Sequence, residues 1–182
     1  MNKRIAALCM SAVALWWTGS AILAPTADAR SETSPVVKVK IINAKGEEVG
    51  QAQIAQVQGA VRIHLEAKHL PPGAHGIHIH ETGRCDPPDF KSAGEHLNPE
   101  KKQHGFHNPK GFHAGDLPNI QVAADGTVSA DLESKNLTLA KGAPHSLLKP
   151  GGTAIVIHEK ADDYVTDPSG NSGNRIACGR IS

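Results

Sequence analysis

The chain has 182 residues and a near-balanced charge, 19 Lys+Arg against 18 Asp+Glu, for a formal net of +1. That balance excludes a basic nucleic-acid face and an acidic tail as organising features, and the length suits one domain around a single core. Aromatic residues make up only 3% of the chain and both tryptophans, Trp16 and Trp17, lie near the N-terminus, so the core must come from Val, Ile, Leu and Ala.

Residues 1–29 open with Lys3 and Arg4, continue through an apolar run and end in Ala27-Asp28-Ala29. This is the layout of a secretory signal peptide cut after Ala29. An uncleaved membrane anchor is the competing reading of residues 5–25, but Thr18-Gly19-Ser20 interrupts the run. Cys9 matches a lipid-attachment site poorly. Cleavage leaves Cys85 and Cys178, an even pair in a chain bound for an oxidising compartment. A disulfide is the default for such a pair, with two thiolate metal ligands as the alternative. The expected organisation is a signal peptide at 1–29, a polar lead-in at 30–35 and one domain over 36–182.

In that domain "VVKVKIIN" alternates Val37, Val39 and Ile41 with Lys38 and Lys40, as a strand with one buried face does. "EVGQAQIAQV" reads as a second, weaker strand after the turn at "AKGE". "AVRIHLEA" points Val61, Ile63 and Leu65 inward and Arg62, His64 and Glu66 outward, which makes His64 a solvated residue. "LPPGAHGIHIH" turns into the next strand. "IQVAADGTVSADLE" gives two strands joined at Asp125-Gly126, "GTAIVIHE" another, and "RIACGRI" a short last one. With no helical period anywhere, the pattern implies an all-β antiparallel sandwich or barrel. Two stretches, 81–119 and 159–174, lack periodicity and are too long to be simple connections, which points to functional loops.

Strand parity sends Ile77 and Ile79 to the core and therefore His78 and His80 together to the outer face. In "AIVIHE" Ile155 and Ile157 go inward, and Val156 and His158 outward. Three imidazoles can thus meet outside the sheet, beneath the long loops. The loop 81–119 adds His96, His104, His107, His113 and Asp116. Imidazoles with one carboxylate suit zinc, while an all-imidazole set favours copper, so the pattern implies two metals.

The stretches "HGIHIHETGRC", "DFKSAGEHLNP", "QHGFHNPKGFHAGDLPN" and "VIHEKADDYVTDPSGNSGNRIACG" resemble the secreted bacterial branch of the copper/zinc superoxide dismutases, over roughly Val36 to Ile181. The resemblance implies a Greek-key antiparallel β-barrel or sandwich of about eight strands, immunoglobulin-like, with two long functional loops. It implies one copper on His78, His80, His96 and His158, and one zinc on His96, His104, His113 and Asp116. His96 would bridge the two as an imidazolate. Asp162 would join a copper histidine to a zinc histidine, Arg175 would stand beside copper, and Cys85–Cys178 would tie the long loop to the barrel near that arginine. His75 would be structural, and His69, His107 and His145 are read as solvated. The implied activity is extracytoplasmic dismutation of superoxide to hydrogen peroxide and dioxygen, with copper cycling between oxidation states. A small anion would be the only substrate, without nucleic acid or a stable membrane span in the mature form, and a homodimer is allowed. The competing reading is a copper/zinc carrier or sensor on the same fold. The ligand set and Arg175 are intact, which speaks against it. A zinc hydrolase is disfavoured because it needs an open zinc position.

Overall fold

The computed structural model describes residues 35–182, so the expected signal peptide and all of the lead-in but Pro35 lie outside the described residues. Among these, nine strands form: β1 (Val37–Asn43), β2 (Glu48–Val57), β3 (Ala60–Ala67), β4 (Gly73–His75), β5 (Ile77–His80), β6 (Ile120–Val122), β7 (Val128–Ser134), β8 (Thr153–His158) and β9 (Arg175–Ile181). Seven pair in the order β5-β8-β9-β1-β2-β3-β7, and β4 pairs with β6. Every strand pairing is antiparallel. β4 runs into β5 through Gly76, and β6 turns into β7 through Asp125-Gly126. The small pair therefore links the two edges of the large sheet, which curls into a Greek-key barrel.

Alternation sets the interior. Val39 and Ile41 of β1, Ile63 and Leu65 of β3, Ile77 and Ile79 of β5, and Ile155 and Ile157 of β8 join one buried cluster. β2, which looks weak in sequence, is the longest strand at ten residues. Gly50 interrupts its apolar pattern because the neighbouring strand passes so close: a Cβ there would lie 2.2 Å from the Glu66 carbonyl oxygen. None of the described helical segments is long and apolar enough to cross a membrane.

The two long loops do not hang free. Leu97 N–H donates to the Ile79 carbonyl at 2.8 Å, Ile79 N–H to that of Gly115 at 2.8 Å, and Glu81 N–H to that of Glu95 at 2.8 Å. Segments around residues 95–97 and 115–116 are thereby held against β5 almost as extra strands. Near residue 90 the loop covers the outer face of the sheet, where Phe90 and Ala93 pack on Ala154, Val156 and Cys178 in a second buried cluster. The default expectation for the cysteines holds: Cys85 and Cys178 form a disulfide, with Cα atoms 5.7 Å apart across 93 positions of sequence.

Cross-linking a loop of this length removes about 4–5 kcal/mol of entropy from the unfolded chain in the loop-closure account. The double variant Cys85→Ser/Cys178→Ser should melt roughly 10 °C or more below the parent. Calorimetry of both proteins with matched metal content checks this; an unchanged melting temperature would contradict the account.

Candidate metal centre

β5 carries His78 and His80 on the face opposite Ile77 and Ile79, and β8 pairs with it so that His78 faces Val156. His158 ends β8 and lies across from Arg175 at the start of β9. His96 enters from the loop, opposite His80 in an isolated bridge, and Asp116 enters opposite His78 in another. All four histidines are buried, at 0–5% exposure. Four of their nitrogens, His78 Nδ1, His80 Nε2, His96 Nε2 and His158 Nε2, are buried without any hydrogen-bond partner. The four side chains can present ligand atoms within 4.8 Å of one another. Buried polar atoms are nearly always paired, so four unpaired lone pairs converging on one point are the donor set of a cation.

The tautomers follow from the other ring nitrogens. A carboxylate or a carbonyl oxygen can only accept, so the nitrogen facing it carries the proton. His78 Nε2 donates to Asp162 Oδ2 at 2.9 Å, His80 Nδ1 to the Gly94 carbonyl at 2.8 Å, and His158 Nδ1 to that of Gly173 at 3.4 Å. The opposite nitrogen of each ring is left as a lone pair.

A second set of atoms lies on the other side of His96. His96 Nδ1 and His104 Nδ1 are each 3.0 Å from Asp116 Oδ1, and His113 Nδ1 is 3.3 Å from both that oxygen and His96 Nδ1. Three ring nitrogens crowding one oxygen is poor hydrogen bonding. A tetrahedral zinc with bonds of about 2.0 Å has ligand-to-ligand edges of about 3.3 Å, close to these spacings. Ligand-atom proximity alone would also admit His78 to this set beside His96, His104 and Asp116. His78, however, has its Nε2 on Asp162 and its Nδ1 among the four unpaired nitrogens, whereas His113 Nδ1 faces this set alone. His113 Nε2 donates to the Lys102 carbonyl at 3.1 Å, and His104 Nε2 to Asp162 Oδ1 at 3.0 Å. Asp116 Oδ2 accepts from the N–H groups of Gly105 and His113, both at 3.0 Å. His96 alone commits neither nitrogen to an acceptor outside the two sets. Its ring lies 4.1 Å from that of His78 and 5.3 Å from that of His113, centre to centre.

Asp162, 3% exposed, is the carboxylate between the two sets. Burial pushes its pKa up, but the hydrogen bonds of His104 and His78 outweigh this and hold it well below the usual range. Burial pushes His78 and His158 down to about 4 and His96 to about 3, and His80 well down too, so these rings are neutral at pH 7. Burial also lowers His104, but its bonds to Asp116 and Asp162 prevail and raise it to about 9.

Arg175 is half-buried. Its Nη1 donates to the Phe90 carbonyl at 2.9 Å and its Nη2 to that of Gly94 at 2.8 Å, the same oxygen that His80 uses. Burial lowers the guanidinium's pKa, and the nearby charges of Glu95 and Asp89 offset this only in part. It opens onto a cleft of about 540 Å³ shared with Asp89, Lys91, Glu95 and Asn174. A larger groove, about 670 Å³ over Gly50, Glu66 and Ser129, contains none of these groups. Most of the remaining histidines fall where expected. His64 is on the surface beside Asp131, and His69 and His107 are exposed. His145 is only partly exposed, on the wall of a small cleft with Lys102 and Lys135. His75 is buried, its ring nitrogens 2.8 Å and 2.7 Å from the carbonyl oxygens of His158 and Pro71.

An antiparallel barrel that carries a four-nitrogen set and a three-nitrogen, one-carboxylate set joined by one imidazole has the donor groups of a protein that holds two metal ions. Residues 48–181 match the family profile described as copper/zinc superoxide dismutase (SODC). The chain is 55% identical to "Superoxide dismutase [Cu-Zn] 1" of Aquifex aeolicus, covering 78% of this chain and 84% of that one. It is 48% identical to "Superoxide dismutase-like protein YojM" of Bacillus subtilis, over 79% and 74% of the two chains. Among solved structures, a SOD-like protein from Bacillus subtilis superposes with a TM-score of 0.79 at 46% identity, covering 81% of this chain and all of that one. Cu/Zn superoxide dismutase from Brucella abortus gives 0.66 at 31% identity over the same share of each. The chain belongs to the copper/zinc superoxide dismutase family, whose two metals the two ligand sets fit.

With His104 raised to about 9 in the metal-free protein, a metal taking its Nδ1 must displace a proton. Zinc affinity should therefore climb about tenfold per pH unit from pH 7 to 8.5, in line with one proton released. Chelator-buffered titrations across that range would read it. An affinity that does not change with pH would contradict the assignment.

Proposed function

We propose that the chain is an extracytoplasmic superoxide dismutase, with copper on His78, His80, His96 and His158 and zinc on His96, His104, His113 and Asp116. The observation that carries the reading is the convergence of four unpartnered buried imidazole nitrogens beside a fixed arginine. Copper, when bound, supplies a one-electron couple, so that one superoxide leaves as dioxygen and a second, with two protons, leaves as hydrogen peroxide.

The chain's own residues do the rest. Arg175 presents a permanent positive charge whose planar fork is already held by two carbonyls, so it can attract and orient a small anion without reorganising. His96 Nε2 faces the four-nitrogen set with no protein partner, so a proton taken up or given up there would move close to where the anion arrives. Asp162 and the carbonyls of Gly94, Gly173 and Lys102 keep the other rings in one tautomer and orientation. A carrier or sensor must hand its metal on, which buried ligands capped by two anchored loops hinder. Every group of the site comes from one chain, so the chemistry does not require a second copy.

His158→Ala removes a ligand of the copper set only and should abolish nearly all dismutation and most copper binding, while zinc is retained. Arg175→Glu should keep both metals, yet cut the second-order rate at least tenfold and alter its dependence on salt, since charges are screened over about 8–10 Å at physiological ionic strength. Pulse radiolysis with metal analysis of both variants checks the pair. Parent-like rates in either one would remove that residue from the site.

The export half of the proposal rests on the 1–29 pattern, on the disulfide and on a relative of Brugia pahangi, 32% identical, named "Extracellular superoxide dismutase [Cu-Zn]". N-terminal sequencing of the protein recovered outside the cytoplasm should begin at Arg30. Recovery of the intact chain with Met1 would contradict cleavage.

A further inference from the structure

Asp162 can orient His78 and His104 only if it is itself held, and it lies on the second long loop, away from any strand. Its anchor is Asn119, a partly buried residue just before β6. Asn119 Oδ1 accepts from the Asp162 backbone N–H at 2.8 Å, and its Nδ2 donates to the Asp162 carbonyl at 2.9 Å. The side-chain amide thus pairs with the backbone of Asp162 as a neighbouring strand would. The backbone N–H of Asn119 in turn donates to the Tyr164 hydroxyl at 2.7 Å, and Tyr164 N–H donates to Asp162 Oδ1 at 2.6 Å. One residue on the first long loop therefore fixes both ends of the segment 162–164 on the second. The carboxylate itself meets Gly170, where a Cβ would stand 1.8 Å from Asp162 Oδ1, so it rests on bare backbone.

We propose that Asn119 is a positioning residue for the dinuclear centre. It sets the place of Asp162, and through Asp162 the orientation of one histidine from each metal set. This rests on the two-metal reading above. A structural role alone would make Asn119 no different from other partly buried amides that tie segments together. Gln56 is such an amide: its Nε2 donates to the Ala60 carbonyl at 3.0 Å, and its Oε1 accepts from Thr138 Oγ1 at 3.0 Å and from Leu139 N–H at 2.9 Å. Its partners lie outside both metal sets and outside the 159–174 loop. The two residues make comparable bonds and differ in what those bonds hold.

The test compares Asn119→Ala, Asn119→Asp and Gln56→Ala with the parent, all metal-loaded. Zinc affinity would be measured by chelator competition, and exchange of the Asp162 and Tyr164 amides by hydrogen–deuterium exchange. Asn119→Ala should bind zinc 10–100-fold more weakly, as loss of a group supporting metal ligands does, and those two amides should exchange faster. Asn119→Asp keeps the size and the acceptor but loses the donor to the Asp162 carbonyl, so it should weaken zinc even if the alanine variant folds poorly. Gln56→Ala should lower the melting temperature by a similar amount while leaving zinc affinity and both amides unchanged. Parent-like zinc affinity in Asn119→Asp, or an equal loss in Gln56→Ala, would overturn the proposal and leave the two-metal reading standing. A parent that takes up no zinc would overturn both.

Discussion

An imidazole has two nitrogens, and this site is organised by which of them each histidine commits to the protein. His78, His80, His104, His113 and His158 each donate one N–H to a protein oxygen, which turns the other nitrogen into a directed lone pair, in His104 once the proton held there by Asp116 has been displaced. His96 faces no acceptor but Asp116, itself a member of one set, and its two nitrogens face the two sets. If any of the five donors lost its acceptor, its ring could take the other tautomer and offer a proton where a lone pair is needed. The metal sites therefore depend on a few oxygen atoms whose positions the fold must guarantee.

The barrel supplies those positions indirectly. Strand parity on β5 and β8 brings three histidines together but provides none of the acceptors, which come from the loops: Gly94, Lys102, Asp162 and Gly173. Each loop is consequently anchored near the acceptor it carries. The Cys85–Cys178 link and the Phe90 cluster fix the stretch that leads to Gly94, and Gly94 then serves His80 and Arg175 with a single carbonyl. Asn119 fixes the stretch around Asp162. Electrostatic readiness for an anion and readiness for metal thus come from the same anchored loops, and loosening either loop should disturb both.

How much of this is legible in the amino-acid sequence depends on how each feature is encoded. The period of two on β1, β3, β5 and β8 is local, so the core residues, the outward His78, His80 and His158 and the solvated His64 can all be read directly. The loop ligands carry no period. His96, His104, His113 and Asp116 become specific only through the family resemblance, although their residue types alone imply two kinds of metal site. Strand-like pairing of residues 95–97 and 115–116 with β5 is invisible, because it is made by backbone groups in segments of no particular composition. Asn119 is hidden for a related reason. It closes a motif that the resemblance picks out, but its partners are the backbone of a residue 43 positions away. The pattern of β2 is faint in sequence because Gly50, a breaker in isolation, is demanded by a close neighbouring strand.

The central claim is that one ring, His96, joins two metals. Electron paramagnetic resonance on protein carrying Cu(II) in the four-nitrogen set and Co(II) in place of zinc tests it most directly. A shared imidazolate should couple the two spins, so the Cu(II) signal that is present with zinc should largely disappear with cobalt. A Cu(II) signal of undiminished intensity in the fully loaded copper–cobalt protein would mean that His96 does not bridge them, and the account would fail at its centre.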